Sequence, residues 1–237
     1  MPYSLIIPLY NEERTLSALL KKLDRLDDNI EIIIIDDGSN DGSDLVLANL
    51  KDYNVLRNES NIGKGASILK GVNSAKNQNI ILMDGDLEID IDDIPKLITI
   101  FETSSNDAIV GMRWKKDGAY KFEINTIGNY FINFLFNLLY DSKLNDVLCC
   151  VKILDKNLFQ SLDIQSKGFS IEVETMSKLV LRGMIIEEVN IQYNRRTFKE
   201  GKKLKISDSW NIIWTMFIIK IYQNQISKKN LSFCFYS

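Results

Sequence analysis

One segment narrows the fold more than any other. Residues 30–35 are isoleucine at every position except Glu31. A strand that is apolar at consecutive positions, not alternate ones, is covered on both faces, as strands are in a parallel sheet flanked by helices. The neighbouring sequence repeats the theme. Tyr3–Leu9 reads as a strand, and Leu16, Leu19, Leu20, Leu23 and Leu26 then recur on one helical face. A helix over 41–50, a strand over 53–57 and a helix carrying Ile62, Ala66, Leu69 and Val72 follow. The first half closes with a strand over 79–83, a helix over 92–102 and a strand over 107–112. This alternation predicts an α/β fold, a Rossmann-like mostly parallel sheet with helices on both faces. Ligands of such sheets sit beyond the carboxyl ends of the strands, so the chemistry belongs in the loops that follow them.

The second half is less regular. Residues 125–140 carry no charge, and Asn129, Asn133 and Asn137 make a narrow polar stripe on an otherwise apolar helix. A strand over 147–154, a helix over 171–182 and a strand over 185–193 are expected next. The loop 194–205 then gathers six basic residues, Arg195, Arg196, Lys199, Lys202, Lys203 and Lys205, against the single acid Glu200. In a chain of net charge -3 that is a local anion site or a solvated charged loop. Trp210, Ile213, Trp214, Phe217 and Ile221 form an apolar stripe on a last helix. The simplest division is one α/β domain over 1–205 and an amphipathic helical extension over 206–237, suited to a membrane interface, a core contact or an oligomer contact. No stretch reaches the roughly 20 apolar residues of a membrane span, and the start lacks a basic region with a cleavage site. A cytoplasmic protein, peripheral on the inner face of a membrane, is the expectation.

Composition removes several chemistries. The chain has no histidine, which excludes a Ser-His-Asp triad and histidine ligation, and leaves acid–base work to other side chains. Cys149, Cys150 and Cys234 show no metal-ligand or disulfide spacing, which fits a reducing compartment. There is no global positive field for nucleic acid.

Four motifs stand where the fold puts loops. Pro8-Leu9-Tyr10-Asn11-Glu12 ends the first strand; Asn11 can cap the next helix, or Tyr10 and Glu12 can line a nucleotide pocket. Asp36-Asp37-Gly38-Ser39 ends the second, either as an ordinary turn or as acceptors for a base and ribose. Asn61-Ile62-Gly63-Lys64-Gly65-Ala66 opens a helix, where glycines and free N–H groups suit phosphate; it lacks P-loop spacing. Asp84-Gly85-Asp86-Leu87-Glu88 ends the fourth strand. Carboxylates two apart in an extended segment share one side, and three together repel unless a cation joins them. Asp84, Asp86 and Glu88 are therefore the candidate ligands of Mg²⁺ or Mn²⁺, with substrate phosphates completing the shell.

Taken in order, these four segments resemble the family 2 glycosyltransferases, whose fold is called GT-A. The likeness runs on towards the dolichol-phosphate mannosyltransferase-like branch. It is carried by Gly111-Met112-Arg113, the segment from Asp146 to Lys152, the helix bearing Glu174 and Lys178, and residues 189–193 leading into Arg196 and Gly201-Lys202-Lys203. The resemblance implies an inverting, metal-dependent transfer from a nucleoside diphosphate sugar, GDP- or UDP-linked, to an acceptor such as a polyprenyl phosphate. It implies that Pro8, Tyr10, Glu12 and Asp37 hold the nucleoside. Lys64 and Gly85 would lie against the sugar diphosphate, and Asp84, Asp86 and Glu88 would hold the metal. Arg113, Arg196 and Lys203 would meet phosphates, with Asp86, Arg113 and Lys203 at the catalytic centre. Glu88 departs from the branch, which carries Gln there. A hydroxyl acceptor on a glycan, protein or lipid would need a carboxylate base, for which Glu172 and Glu174 are candidates. A nucleotidyltransferase and a non-catalytic nucleotide-sugar module are the remaining alternatives.

Overall fold

The computed structural model describes residues 1–51, 53–113, 124–196 and 206–234. Its strands are β1 (Tyr3–Leu9), β2 (Ile30–Asp36), β3 (Asn54–Arg57), β4 (Asn79–Leu82), β5 (Ala108–Met112), β6 (Lys152–Asp155) and β7 (Ile186–Asn190). They form one sheet in the order β3-β2-β1-β4-β6-β5-β7. Every pairing is parallel except those of β6, which runs against both β4 and β5. The helices are α1 (Glu13–Leu23), α2 (Ser43–Leu47), α3 (Lys64–Ser74), α4 (Ile94–Thr103), α5 (Ile124–Tyr140), α6 (Lys156–Ser161), α7 (Ile171–Leu181) and α8 (Ile206–Cys234).

Burial explains the isoleucine run. Ile33, Ile34 and Ile35 are all inaccessible to solvent, as are Leu5, Ile6 and Ile7 beside them. Both faces of the central sheet are therefore covered, as a parallel sheet requires. The register pairs Leu9 with Asp36, so β1 and β2 end level and deliver Tyr10 and Asp37 to the same rim.

The second half departs from its expected elements. The strand expected over 147–154 is only Lys152–Asp155, and it is reversed. Asp155 ends it by accepting a hydrogen bond from Leu158 N at 2.9 Å, which starts the short helix α6 that the apolar pattern did not signal. The last helix does more than extend the domain. Ile212 and Met216 are buried in the common core, and the Tyr140 hydroxyl donates to the Met216 carbonyl at 2.8 Å. The aromatic stripe points outward instead, with Trp210 72% and Trp214 66% exposed. On α5, Ile132, Phe136 and Tyr140 face inward while Phe131, Phe134 and Leu138 face out. Among the described residues no helix is long and apolar enough to cross a membrane.

Candidate active site

The first two acidic turns hold each other. Asn11 does not cap α1; it adopts a left-handed backbone (φ 50°) and its Oδ1 accepts from Asn40 N at 2.9 Å. The capping comes from the opposite loop. Asn11 N donates to Ser39 Oγ, Glu12 N to Ser43 Oγ and Glu13 N to Asp41 Oδ2, at 2.9, 3.0 and 3.0 Å. Asp37 looks the other way. Its oxygens accept from Ile62 N, Gly63 N and Asn58 Nδ2, each at 2.9 Å, and fix the start of α3.

Those bonds change the reading of the glycine motif. Two N–H groups ahead of α3 are taken by Asp37, and Ala66 N donates to the Lys167 carbonyl at 3.1 Å. Three of the N–H groups that could meet a phosphate, those of Ile62, Gly63 and Ala66, are thus already engaged. Gly65 is glycine because residues 166–168 lie against it: a Cβ there would meet the Ser166 carbonyl oxygen at 2.1 Å. The ligand-facing part of the motif is the Lys64 side chain. Its ammonium contacts Asp84 Oδ1 at 2.7 Å and Glu172 Oε1 at 2.8 Å, with the Phe169 ring 5.8 Å away. Burial alone would lower the Lys64 pKa, but Asp84 and Glu172 hold it well above the ordinary lysine value. Glu172 also binds Lys152, which is 1% exposed in the core and donates to the Cys149 carbonyl as well. Burial pushes Glu172 up, yet the two lysines hold it below the ordinary carboxylate range. A carboxylate shared by two ammonium groups is a poor proton acceptor. Glu174 faces away, accepting from Gln165 N, Ser166 N and Lys178 Nζ at 2.9, 2.7 and 2.6 Å. Glu172 lines the cavity but is paired with two lysines, and Glu174 is engaged away from it.

The fourth-strand turn is built differently. Gly85 lies against β1, where a Cβ would come within 2.1 Å of Leu9 Cδ2 and 2.8 Å of Ile7 Cγ2, so a larger residue would require those side chains to shift. Asp86 is pushed up to about 7, first by burial and then by the charges of Asp84 and Glu88. The expected spacing of three carboxylates on one side does not persist. Leu87 takes a left-handed backbone (φ 61°), which breaks the period-two geometry. Glu88 is tied to the segment after β7: its Oε2 accepts from the Tyr193 hydroxyl at 2.9 Å and its Oε1 from Arg196 N at 3.0 Å. Among the described residues no three carboxylate or cysteine side chains make a ready metal-binding group. Asp84 and Asp86 nevertheless fit a divalent ion of the kind held by one or two carboxylates plus phosphate oxygens. The repulsion that raises Asp86 is what such an ion would relieve.

Cations approach from the second half. Arg113 Nε and Nη2 form a forked pair with Asp146 at 2.8 Å each, and the Arg113 backbone N–H bonds the same carboxylate at 3.0 Å. Burial lowers the Arg113 pKa, but Asp146 more than restores it. Its guanidinium lies 5.4 Å from the Tyr193 ring centroid. Arg196 Nη1 reaches Glu12 Oε2 at 2.9 Å and the Asp86 carbonyl at 3.1 Å. Asp146 and Tyr193 had no role assigned in sequence, although both belong to segments that carry the family resemblance.

All of this surrounds one cavity of about 1030 Å³. Its walls include Pro8, Tyr10, Glu12, Asp37, Lys64, Asp84, Gly85, Asp86, Glu88, Arg113 and Arg196. At the other end it runs between α5 and α8, past Asn129, Ile132, Ile212, Trp214 and Thr215. Lys203, with Lys199, Gly201, Lys202 and Lys205, lies outside the described residues.

Comparison with known proteins gives a consistent result. Residues 4–162 match the family model described as Glycosyl transferase family 2. A dodecaprenyl-phosphate galacturonate synthase of Rhizobium johnstonii is 28% identical over 69% of this chain and 51% of its own length. An undecaprenyl-phosphate 4-deoxy-4-formamido-L-arabinose transferase of Proteus mirabilis is 25% identical over 84% of this chain and 62% of its own. The chain thus spans between half and two thirds of these relatives. Among solved structures, glucosyl-3-phosphoglycerate synthase of Mycobacterium tuberculosis, bound to Mn²⁺, UDP and phosphoglyceric acid, superposes with a TM-score of 0.73. It shares 18% identity over 92% of this chain and 78% of the other, a likeness of fold.

Proposed function

The chain belongs to glycosyl transferase family 2, and from that premise we propose that it moves a sugar from a nucleoside diphosphate sugar to a polyprenyl phosphate, with inversion. The observation that carries the acceptor is the form of the cavity. Its walls include the carboxylate turns, Arg113 and Arg196, and then α5 and α8 at Ile132, Ile212 and Trp214 among polar residues, while the outer faces of the same two helices expose Phe131, Phe134, Leu138 and Trp210. An amphiphile with an anionic head and a hydrocarbon tail fits that sequence of surfaces. Two relatives named for polyprenyl phosphates agree with it.

The chemistry follows from the same walls. In this reading Pro8, Tyr10, Glu12 and Asp37 would line the nucleoside end, and Lys64 and Gly85 would lie beside the diphosphate; all six line the cavity. Asp84 and Asp86 would hold Mg²⁺ or Mn²⁺, which when bound offsets negative charge on the leaving nucleoside diphosphate. Arg113, held rigid by Asp146, and Arg196 present positive charge to phosphate oxygens, as does Lys203 in this reading. An acceptor phosphate oxygen bonds to the anomeric carbon as the bond to the diphosphate oxygen breaks. Such an oxygen is already anionic, so no general base is needed, in keeping with Glu172 being neutralised by two lysines. A hydroxyl acceptor has no such support.

The outward faces of α5 and α8 suit peripheral contact with the cytoplasmic leaflet, or with a membrane-protein partner. The test begins with a thermal-shift panel of UDP-, GDP- and dTDP-sugars, with and without Mn²⁺. A metal-dependent rise with one nucleotide is expected; no rise with any would overturn the donor assignment. Transfer to undecaprenyl phosphate, compared with neutral glycans, then tests the acceptor, and transfer to glycans alone would overturn it. Flotation with anionic liposomes tests the membrane contact; protein that stays wholly unbound would remove it.

A further inference from the structure

We propose that Glu88 is a positioning residue that fastens the segment after β7 to the Asp84-Gly85-Asp86 loop, and so sets Arg196 and Tyr193 in the cavity, in place of ligating metal. The fastening stands on geometry alone; its consequence for transfer rests on the donor reading above.

Two stretches that are far apart in sequence run side by side here. Asn194 N donates to the Glu88 carbonyl at 2.6 Å, and Asp90 N to the Gln192 carbonyl at 3.3 Å. Gln192 N donates to Asp93 Oδ2 at 2.6 Å, and Ile89 and Tyr193 form an antiparallel bridge. The Glu88 carboxylate then grips both ends of residues 193–196, through the Tyr193 hydroxyl and the Arg196 backbone N–H. What it fixes is functional surface. From that anchored backbone the Arg196 guanidinium spans the cavity, joining Glu12 after β1 to the Asp86 carbonyl after β4. The anchored Tyr193 ring backs the Arg113 guanidinium. Arg113 and Arg196 therefore both take their positions partly from one carboxylate. Leu87 makes this possible, since its left-handed turn, costly for a bulky side chain, is what aims Glu88 at residues 193–196. Both Glu88 oxygens accept hydrogen bonds at ordinary lengths from residues 193–196, so it is that segment that orients the carboxylate.

Glutamine can reproduce the anchor. Its carbonyl oxygen accepts from Arg196 N, and its amide can donate to the Tyr193 oxygen. Alanine cannot. The test uses the full chain with Glu88→Ala, Glu88→Gln and Tyr193→Phe. Three readouts are needed: trypsin cleavage after Arg195 and Arg196, Mn²⁺ affinity by paramagnetic resonance with UDP or GDP present, and donor KM against kcat. Glu88→Ala should speed cleavage and raise donor KM by roughly tenfold, with Mn²⁺ affinity close to the parent's. Glu88→Gln should restore both, and Tyr193→Phe should fall between. A loss of Mn²⁺ affinity of about tenfold or more in both Glu88 variants would make Glu88 a ligand and overturn the proposal. Equal cleavage across all variants would also overturn it. If Glu88→Ala does not fold, Tyr193→Phe against the parent and Glu88→Gln gives the same contrast. A parent chain that binds no nucleotide would count against the donor reading only, because the cleavage contrast needs no ligand.

Discussion

Asp37 and Asp86 each follow a parallel strand, in acidic turns containing a glycine, and the protein treats their charges in opposite ways. Asp37 receives three N–H donors at 2.9 Å, two of them from the backbone that leads into α3. Asp86 receives one backbone N–H, from Glu88 at 3.0 Å, and burial with the charges of Asp84 and Glu88 outweighs the favourable charge of Arg196. A buried carboxylate saturated with donors serves the fold, whereas one left among like charges is held in readiness for a cation. The difference lies in what surrounds each turn, not in the turn itself.

The largest expected effect tests the Asp86 side of that contrast. Asp86→Asn keeps the shape and an oxygen for Glu88 N but removes the charge. Transfer should fall by about three orders of magnitude, the scale of losing one electrostatic contact to a transition state. The melting temperature without ligand should stay the same or rise, because a repulsive charge is gone. Full activity in this variant would break the comparison outright.

Asp37→Ala should do the reverse. It removes three hydrogen bonds, one of them from the buried Asn58 amide, at a cost of about 3 kcal/mol, which for a chain of this size lowers the melting temperature by roughly 10 °C. Thermal and urea denaturation measure it. If Asp37→Ala melted like the parent and lost only nucleotide binding, both carboxylates would be ligand groups and the distinction would collapse.

The sheet was legible because burial on both faces leaves a mark along the chain itself. Ile33, Ile34 and Ile35 cannot alternate if no face is wet, and the bounds of β1 and the helix α3 followed from the same logic. The reversed β6 was not legible. Four residues carry no period, and Lys152 within it reads as a surface residue until Glu172 and the Cys149 carbonyl are seen beside it. At the site, the order of motifs located the cavity walls, because each follows a strand that ends on the same rim. Local conformation was beyond reach. Nothing in Asp86-Leu87-Glu88 announces a left-handed leucine, and that one torsion decides which way Glu88 faces. Nor could the Gly63-Lys64-Gly65 stretch reveal that its backbone meets residues 166–168, a contact made a hundred residues downstream.

A third carboxylate, saturated as Asp37 is but away from any strand end, sharpens the rule at smaller amplitude. Burial pushes Glu174 up, but Lys178, Ser166 and Gln165 outweigh it and hold the carboxyl below its ordinary value. Its folded-state pKa therefore lies under the unfolded one, which is about 4.3. The stabilisation is full above the unfolded value and is lost as pH falls through the folded one. Glu174→Gln retains one acceptor oxygen but no charge, so at pH 7 it should be less stable than the parent by about 1 kcal/mol. That gap should narrow once the pH drops below about 5 and close as the parent carboxyl protonates. Paired urea melts from pH 7 down to about pH 3.5 read the difference directly. A gap that stays constant across the range would mean that shape, not charge, matters at this position, and saturation by donors would no longer identify the carboxylates that serve the fold.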